Sequence, residues 1–118
     1  MAAFVGRWRI TRTDLWGEDD LDLVGRPEIV FDRRGCGSIQ VGALQAEVDY
    51  RVDKNARPPR ADFTWSGVDE MDAVSGRGWV EIEGFSMNGR LFIHMGDDVR
   101  FSAVREDSKT RPARKTNG

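Results

Sequence analysis

The sequence predicts an all-β protein, a single antiparallel up-and-down barrel of about eight strands. Apolar and polar residues alternate with period two over most of the chain. The intervening segments are short and contain glycine, proline, asparagine and aspartate, which favour tight turns between strands. No segment has a sustained apolar stripe with helical spacing. Closure of the meander would remove its exposed edges, with an open sheet or a two-sheet sandwich as the alternatives.

The strands follow one another along the chain. They are predicted at residues 4–12, 28–32, 38–42, 43–52, 61–67, 79–84, 90–96 and 99–105. The fourth of these shows the alternation most clearly, since Leu44, Ala46 and Val48 alternate with Gln45 and Glu47. The inward set is predicted to be Phe4, Trp8, Ile10, Ile29, Phe31, Ile39, Val41, Leu44, Val48, Tyr50, Val52, Phe63, Trp65, Val80, Ile82, Leu91, Ile93, Met95, Val99 and Phe101. So many apolar side chains favour a filled interior over an open cavity.

Composition restricts the class of protein. The chain has 118 residues, a net charge of −2 and one cysteine. These values predict one domain without an internal disulfide and give no overall attraction to nucleic acid. No apolar run at the N-terminus is long enough for a membrane span or a signal peptide. We expect a cytoplasmic protein of bacterial type, with a barrel at 1–105 and a disordered basic tail at 106–118.

A short motif at the start of the first strand adds a family resemblance. Gly6-Arg7-Trp8 resembles the Gly-x-Trp signature of the lipocalin and calycin barrels. The patterns "DEMD" and "SGRGW" are also similar to those of small bacterial proteins of unknown function. The first resemblance implies a lipocalin-like barrel and ligand binding at its mouth. The later lipocalin motifs are absent, and the chain is shorter than a typical lipocalin.

Charge is expected to separate the two ends of the barrel, because successive connections of a meander alternate between ends. Connections 13–25, 42–43, 67–78 and 96–98 share one end and contain ten acidic residues with Arg77 as the single base. The other end is basic. The acidic mouth is the predicted ligand site. Its residues are predicted to be Trp16, Asp19, Asp20, Asp69, Glu70, Asp72, Arg77, Asp97 and Asp98.

The leading functional prediction is therefore a non-enzymatic module that binds a small ligand or a basic protein at this mouth. An alternative is a hydrolase or isomerase that uses a carboxylate there. Calcium binding would need carboxylates converging from several loops, since no calcium-loop spacing is present. His94 and Cys36 lie in segments at opposite ends, which argues against a catalytic pair. No catalytic residue, cofactor or metal site is predicted.

Some apolar residues fall on the outward face of the strands. Trp79, Phe92 and Val104 come from three consecutive strands and are predicted to form one patch beside His94. Exposed apolar patches often mark interfaces. A second alternative is therefore a structural protein that forms a homodimer through this patch, with twofold symmetry.

Overall fold

The fold is a closed antiparallel barrel of eight strands, as the sequence predicts. The computed structural model describes residues 3–23 and 25–106, apart from the side chain of Glu18. Each strand pairs with the next, and the last pairs with the first. The strands are β1 (Gly6–Thr13), β2 (Glu28–Phe31), β3 (Cys36–Val41), β4 (Leu44–Asp53), β5 (Arg60–Asp69), β6 (Asp72–Glu83), β7 (Ser86–Ile93) and β8 (Asp98–Glu106), with a 3-10 turn at Glu18–Asp20. Residues 107–118 of the predicted tail lie outside the described residues.

Two strands begin at least four residues earlier than the alternation predicts. β6 begins at Asp72 instead of residue 79, and β7 begins at Ser86 instead of residue 90. The turn before β6 is only Glu70-Met71, both with positive φ (53° and 81°). The turn before β7 is Gly84 and Phe85. Residues 72–78, the first part of β6, include few apolar side chains, so their sequence resembles a loop. They nevertheless pair with β5 along their whole length.

Apolar side chains fill the barrel. The buried set contains no polar or charged residue other than Tyr50 among the described residues. The predicted inward set is confirmed except for Met95, which is 94% exposed in the turn after β7. Val52 and Ile93 are only partly buried. Alternation did not place Leu21 or Met87 inside, yet both are buried.

The N-terminal segment closes one end of the barrel. The indole of Trp8 is fully buried, and its Nε1 donates to the carbonyl of Phe4 at 3.0 Å. The guanidinium of Arg105 lies 4.3 Å from the Trp8 ring centroid. It also donates to the carbonyls of Val5 and Ala3. Strand β8 is thereby joined to the start of β1 by a cation–π contact and two hydrogen bonds.

The long β1–β2 connection covers the opposite end. Leu21 is buried there, and its carbonyl accepts a hydrogen bond from the N–H of Gly42 at 2.8 Å. Trp16 packs against the core. A Cβ on Gly42 would lie 2.4 Å from the Trp16 Nε1, and its φ of 58° also favours glycine. Both ends of the apolar interior are therefore covered by the chain itself.

Tyr50 gives a prediction for alkaline pH. Burial raises its pKa from the usual 10.0, and the charges of Asp32 and Cys36 add to that increase. The folded protein therefore holds the phenol proton more tightly than the unfolded chain. This contribution to stability is complete below pH 10.0 and is lost as pH rises through the folded-state pKa.

Tyr50 is the only tyrosine, so tyrosinate absorbance reports this group directly. We expect its midpoint to lie above 10.0 in the folded protein and to return to that value in denaturant. In Tyr50→Phe the free energy of unfolding should fall less steeply above this pH. A folded-state midpoint at or below 10.0 would contradict the assignment.

Candidate functional site

The two ends of the barrel differ in charge, because the connections alternate between them as predicted. Connections 14–27, 42–43, 70–71 and 94–97 meet at one end. No lysine or arginine occurs at residues 14–23, 42–43, 69–72 or 94–98. The connections at the opposite end carry Arg33, Arg34, Lys54 and Arg57. We call residues 14–23, 42–43, 69–72 and 94–98 the acidic end. Arg26, later in the first connection, lies outside this group and forms salt bridges with Glu28 and Glu106.

The β5–β6 hairpin supplies the tip of the acidic end. Asp69 and Asp72 are the last paired residues, and they flank the Glu70-Met71 turn. Glu70, Met71 and Asp72 are exposed, and Asp69 is half-buried. The pairing explains this arrangement, since a two-residue turn with positive φ at both positions matches the twist of a hairpin. The "DEMD" segment is therefore a tight turn and not the long loop that the sequence predicts.

Other connections bring further carboxylates to the acidic end. Asp19 and Asp20 are exposed on the 3-10 turn. Asp97 is exposed in the β7–β8 turn, and its carbonyl accepts from the Ile93 N–H at 2.9 Å. Asp98 begins β8 and forms a salt bridge with Arg90 at 3.2 Å. Solvent-facing carboxylates from three separate connections thus surround the covered mouth.

Exposed apolar side chains lie among these acids. Met71 and Met95 are each 94% exposed, Leu23 is 60% exposed and Leu15 is 44% exposed. Methionine is flexible and polarisable, and it is common on surfaces that adapt to different partners. The acidic end therefore combines negative charge with exposed apolar area, a combination that the strand pattern alone did not reveal.

Two of the predicted mouth residues are not part of this surface. Trp16 is half-buried and packs against the core, so it covers the barrel and does not line an open site. Arg77 lies within β6, five residues beyond Asp72, or about 17 Å along the strand. Its placement at the mouth was wrong because residues 72–78 form a strand and not a loop.

The outer wall carries a second feature, two grooves on either side of the half-buried Trp79. Their volumes are about 530 and 490 Å³. The charged residues of the first groove are Asp49, Arg51, Arg60, Asp62 and Arg77, and those of the second are Arg12, Asp14, Arg90 and Arg100. The Arg60 guanidinium lies 4.7 Å from the Trp79 ring centroid. On the inner side of this wall, the ring of Phe63 packs directly against Gly78. A Cβ at position 78 would lie 2.5 Å from Phe63 Cζ.

The predicted outward patch is only partly present. Trp79 and Phe92 both line the first groove. Val104 pairs with Ser86, six residues from Phe92 along β7, so these two side chains are about 20 Å apart. His94 is exposed in the β7–β8 turn, and its N–H donates to the Ser75 carbonyl. The alternation correctly predicted that Trp79, Phe92 and Val104 face outward. It could not give the antiparallel register that separates Val104 from Phe92.

The described residues include no group of three or more histidine, cysteine, aspartate or glutamate side chains arranged to hold a metal ion. Over the same part of the chain, no helix has the length and apolar character needed to cross a membrane. Comparison of the chain with models of protein families, with curated proteins and with solved structures gave no significant match.

Proposed function

We propose that this protein is a non-enzymatic binding module that uses its acidic end to bind a basic, amphipathic segment of a partner protein. The observation that carries the proposal is the presence of exposed Met71, Met95, Leu15 and Leu23 among carboxylates at an end without lysine or arginine. A basic amphipathic segment matches both features, since it presents cationic and apolar groups together. The filled interior supports a surface site over an enclosed one.

The proposal also covers the kind of barrel and its compartment. Gly6-Arg7-Trp8 opens β1, where the Gly-x-Trp resemblance implies it, and Trp8 is fully buried beneath the guanidinium of Arg105. On this basis we propose that the barrel is lipocalin-like. Cys36 is exposed and free, which fits the reducing cytoplasm. A small ligand in the interior is not part of the proposal.

Reversal of charge at the hairpin tip tests the proposed surface. The double substitution Glu70→Lys and Asp72→Lys should weaken binding of a lysine- and leucine-rich amphipathic peptide by about tenfold. Each reversal removes one exposed attraction of a few tenths of a kcal/mol and adds a similar repulsion. Fluorescence anisotropy of the labelled peptide measures the affinity. Added salt should weaken binding to the wild type more than binding to the variant.

A matched control keeps the change in net charge but moves it away from the acidic end. Glu47 and Glu83 are exposed on the barrel wall and at the far end of β6. Their replacement by lysine should change the affinity by less than about twofold, since screening is strong beyond a Debye length of roughly 8–10 Å. Equal losses in both double variants would show that net charge alone governs binding and would refute a site at the acidic end.

A further inference from the structure

We infer that a second copy of this chain binds the outer wall of β4–β8, forming a twofold symmetric dimer. This inference goes beyond the proposed function and does not depend on it. It rests on two neighbouring rows of side chains that cross the five strands beside the grooves. We call this surface the two-row face. On each strand the member of one row can form a favourable contact with the member of the other.

Strand register defines the rows. The first row is Asp49, Thr64, Arg77, Phe92 and Asp98, each paired with the next across adjacent strands. The second row is Arg51, Asp62, Trp79, Arg90 and Arg100, paired in the same way. Within each strand the two residues are two positions apart, so they project from the same side of the sheet. At about 4.8 Å per strand step, each row extends about 19 Å around the barrel.

A twofold axis that crosses the strands midway between the rows places each row of one copy against the other row of its partner. The facing pairs are then Asp49 with Arg51, Thr64 with Asp62, Arg77 with Trp79, Phe92 with Arg90, and Asp98 with Arg100. Two of these pairs join opposite charges, two place a guanidinium against an aromatic ring, and one joins a hydroxyl to a carboxylate. An isologous interface requires this self-complementarity, and each pair would occur twice.

Contacts within one chain leave most of these groups available. Among the described residues, no salt bridge involves Asp49, Arg51, Arg77 or Arg100. Arg100 also lies directly opposite Arg90 in the β7–β8 pairing. Directly opposed like charges destabilise a sheet. Asp98 of the same chain already pairs with Arg90, and in the dimer Asp98 of the partner subunit would face Arg100 and supply its counter-charge.

The curvature of the wall determines which pairs matter most. Two convex walls touch along their central strands, so the Arg77–Trp79 pair of β6 should dominate the interface. Trp79 is half-buried between two grooves, and Arg60 of the same chain lies 4.7 Å from its ring centroid, so the facing arginine would add a second cation–π contact. Arginine and tryptophan are also the residues most often found at energetic centres of interfaces. Because the axis reverses the strand direction, the two acidic ends would point away from each other and remain accessible.

An exchange of the two central residues tests the symmetry itself. Trp79→Arg alone places arginine against Arg77 of the partner subunit, and the dimer Kd should rise by about thirtyfold or more. The exchange variant Trp79→Arg with Arg77→Trp restores the pair, because the axis maps one position onto the other. Its Kd should return to within about fivefold of the wild type. Sedimentation velocity measures the dimer Kd of the wild type, the single variant and the exchange variant. The concentration range must be wide, because an interface built on two short rows is expected to be weak.

Two comparisons complete the test. Circular dichroism must show that each variant is folded, and Arg33→Glu, an exposed change in the β2–β3 connection away from the two-row face, should leave the dimer Kd unchanged. A wild-type chain that stays monomeric at every concentration would overturn the inference. Failure of the folded exchange variant to dimerise would also overturn it. Neither result bears on peptide binding at the acidic end, which is measured separately with monomeric Trp79→Arg.

Discussion

Replacement of Trp8 by alanine is expected to lower the free energy of unfolding by about 3–5 kcal/mol. The indole is fully buried, donates to the Phe4 carbonyl and lies under the Arg105 guanidinium. Its loss would leave a large cavity at the end of the barrel where β1 and β8 are joined. A domain of ordinary stability has only about 5–15 kcal/mol in total, so this variant should be close to unfolding. Chemical denaturation of wild type and variant measures the difference.

Trp79→Ala is the control for this prediction. Trp79 has the same side chain but lies half-buried on the outer wall, so its replacement should cost about 1 kcal/mol or less. Arg105→Met should fall between the two, because it removes the cation–π contact and the hydrogen bonds to residues 3 and 5 but keeps apolar contact. Equal losses for Trp8→Ala and Trp79→Ala would contradict the role assigned to the N-terminal closure.

Gly76→Ala should reduce the free energy of unfolding by about 3 kcal/mol, at the upper end of the usual range for overpacking. A Cβ on Gly76 would lie 1.8 Å from the Phe92 carbonyl oxygen and 2.9 Å from Trp65 Cζ2. The nearest atom belongs to the backbone of the paired strand β7, so the contact can be relieved only by separating β6 from β7. Thermal and chemical denaturation should both show the loss.

Gly17→Ala is the matched glycine control. The nearest atom to a Cβ at that position is Asp20 Oδ2 at 4.0 Å, and φ is −66°, which alanine adopts readily. This substitution should be neutral or stabilise the protein by up to about 1 kcal/mol, because alanine restricts the unfolded chain. A destabilisation by Gly17→Ala as large as that by Gly76→Ala would contradict the assignment of the Gly76→Ala loss to the clash with β7.

Much of the fold follows from the sequence because one face of each strand is buried. Period-two alternation identified all eight strands and nearly all of the core. It failed where burial does not impose alternation. Residues 72–78 pair fully with β5, yet Val74 is the only large apolar side chain among them. Met95 continues the alternation of β7 in sequence, but the chain turns there with a φ of 59°.

The candidate site was predicted less completely, since it depends on register and on loop conformation. The sequence could place most acids at one end because the connections of a meander alternate between the two ends. That argument needs only the order of the strands and not their register. It could not show that Met71 and Met95 would be exposed there or that Trp16 would cover the mouth. The two-row face requires the exact pairing of five strands. A shift of two residues in one strand pair would remove its complementarity.

The central claim is that this barrel acts from its acidic surface and not from its interior. The most direct measurement is an amide NMR shift map of the full chain during titration with the lysine- and leucine-rich peptide. The account predicts shifts at residues 14–23, 69–72 and 94–98, which are lost in the Glu70→Lys and Asp72→Lys variant. Shifts that centre on the buried Phe31, Val48 and Trp65 would instead indicate an interior ligand site and would contradict the account.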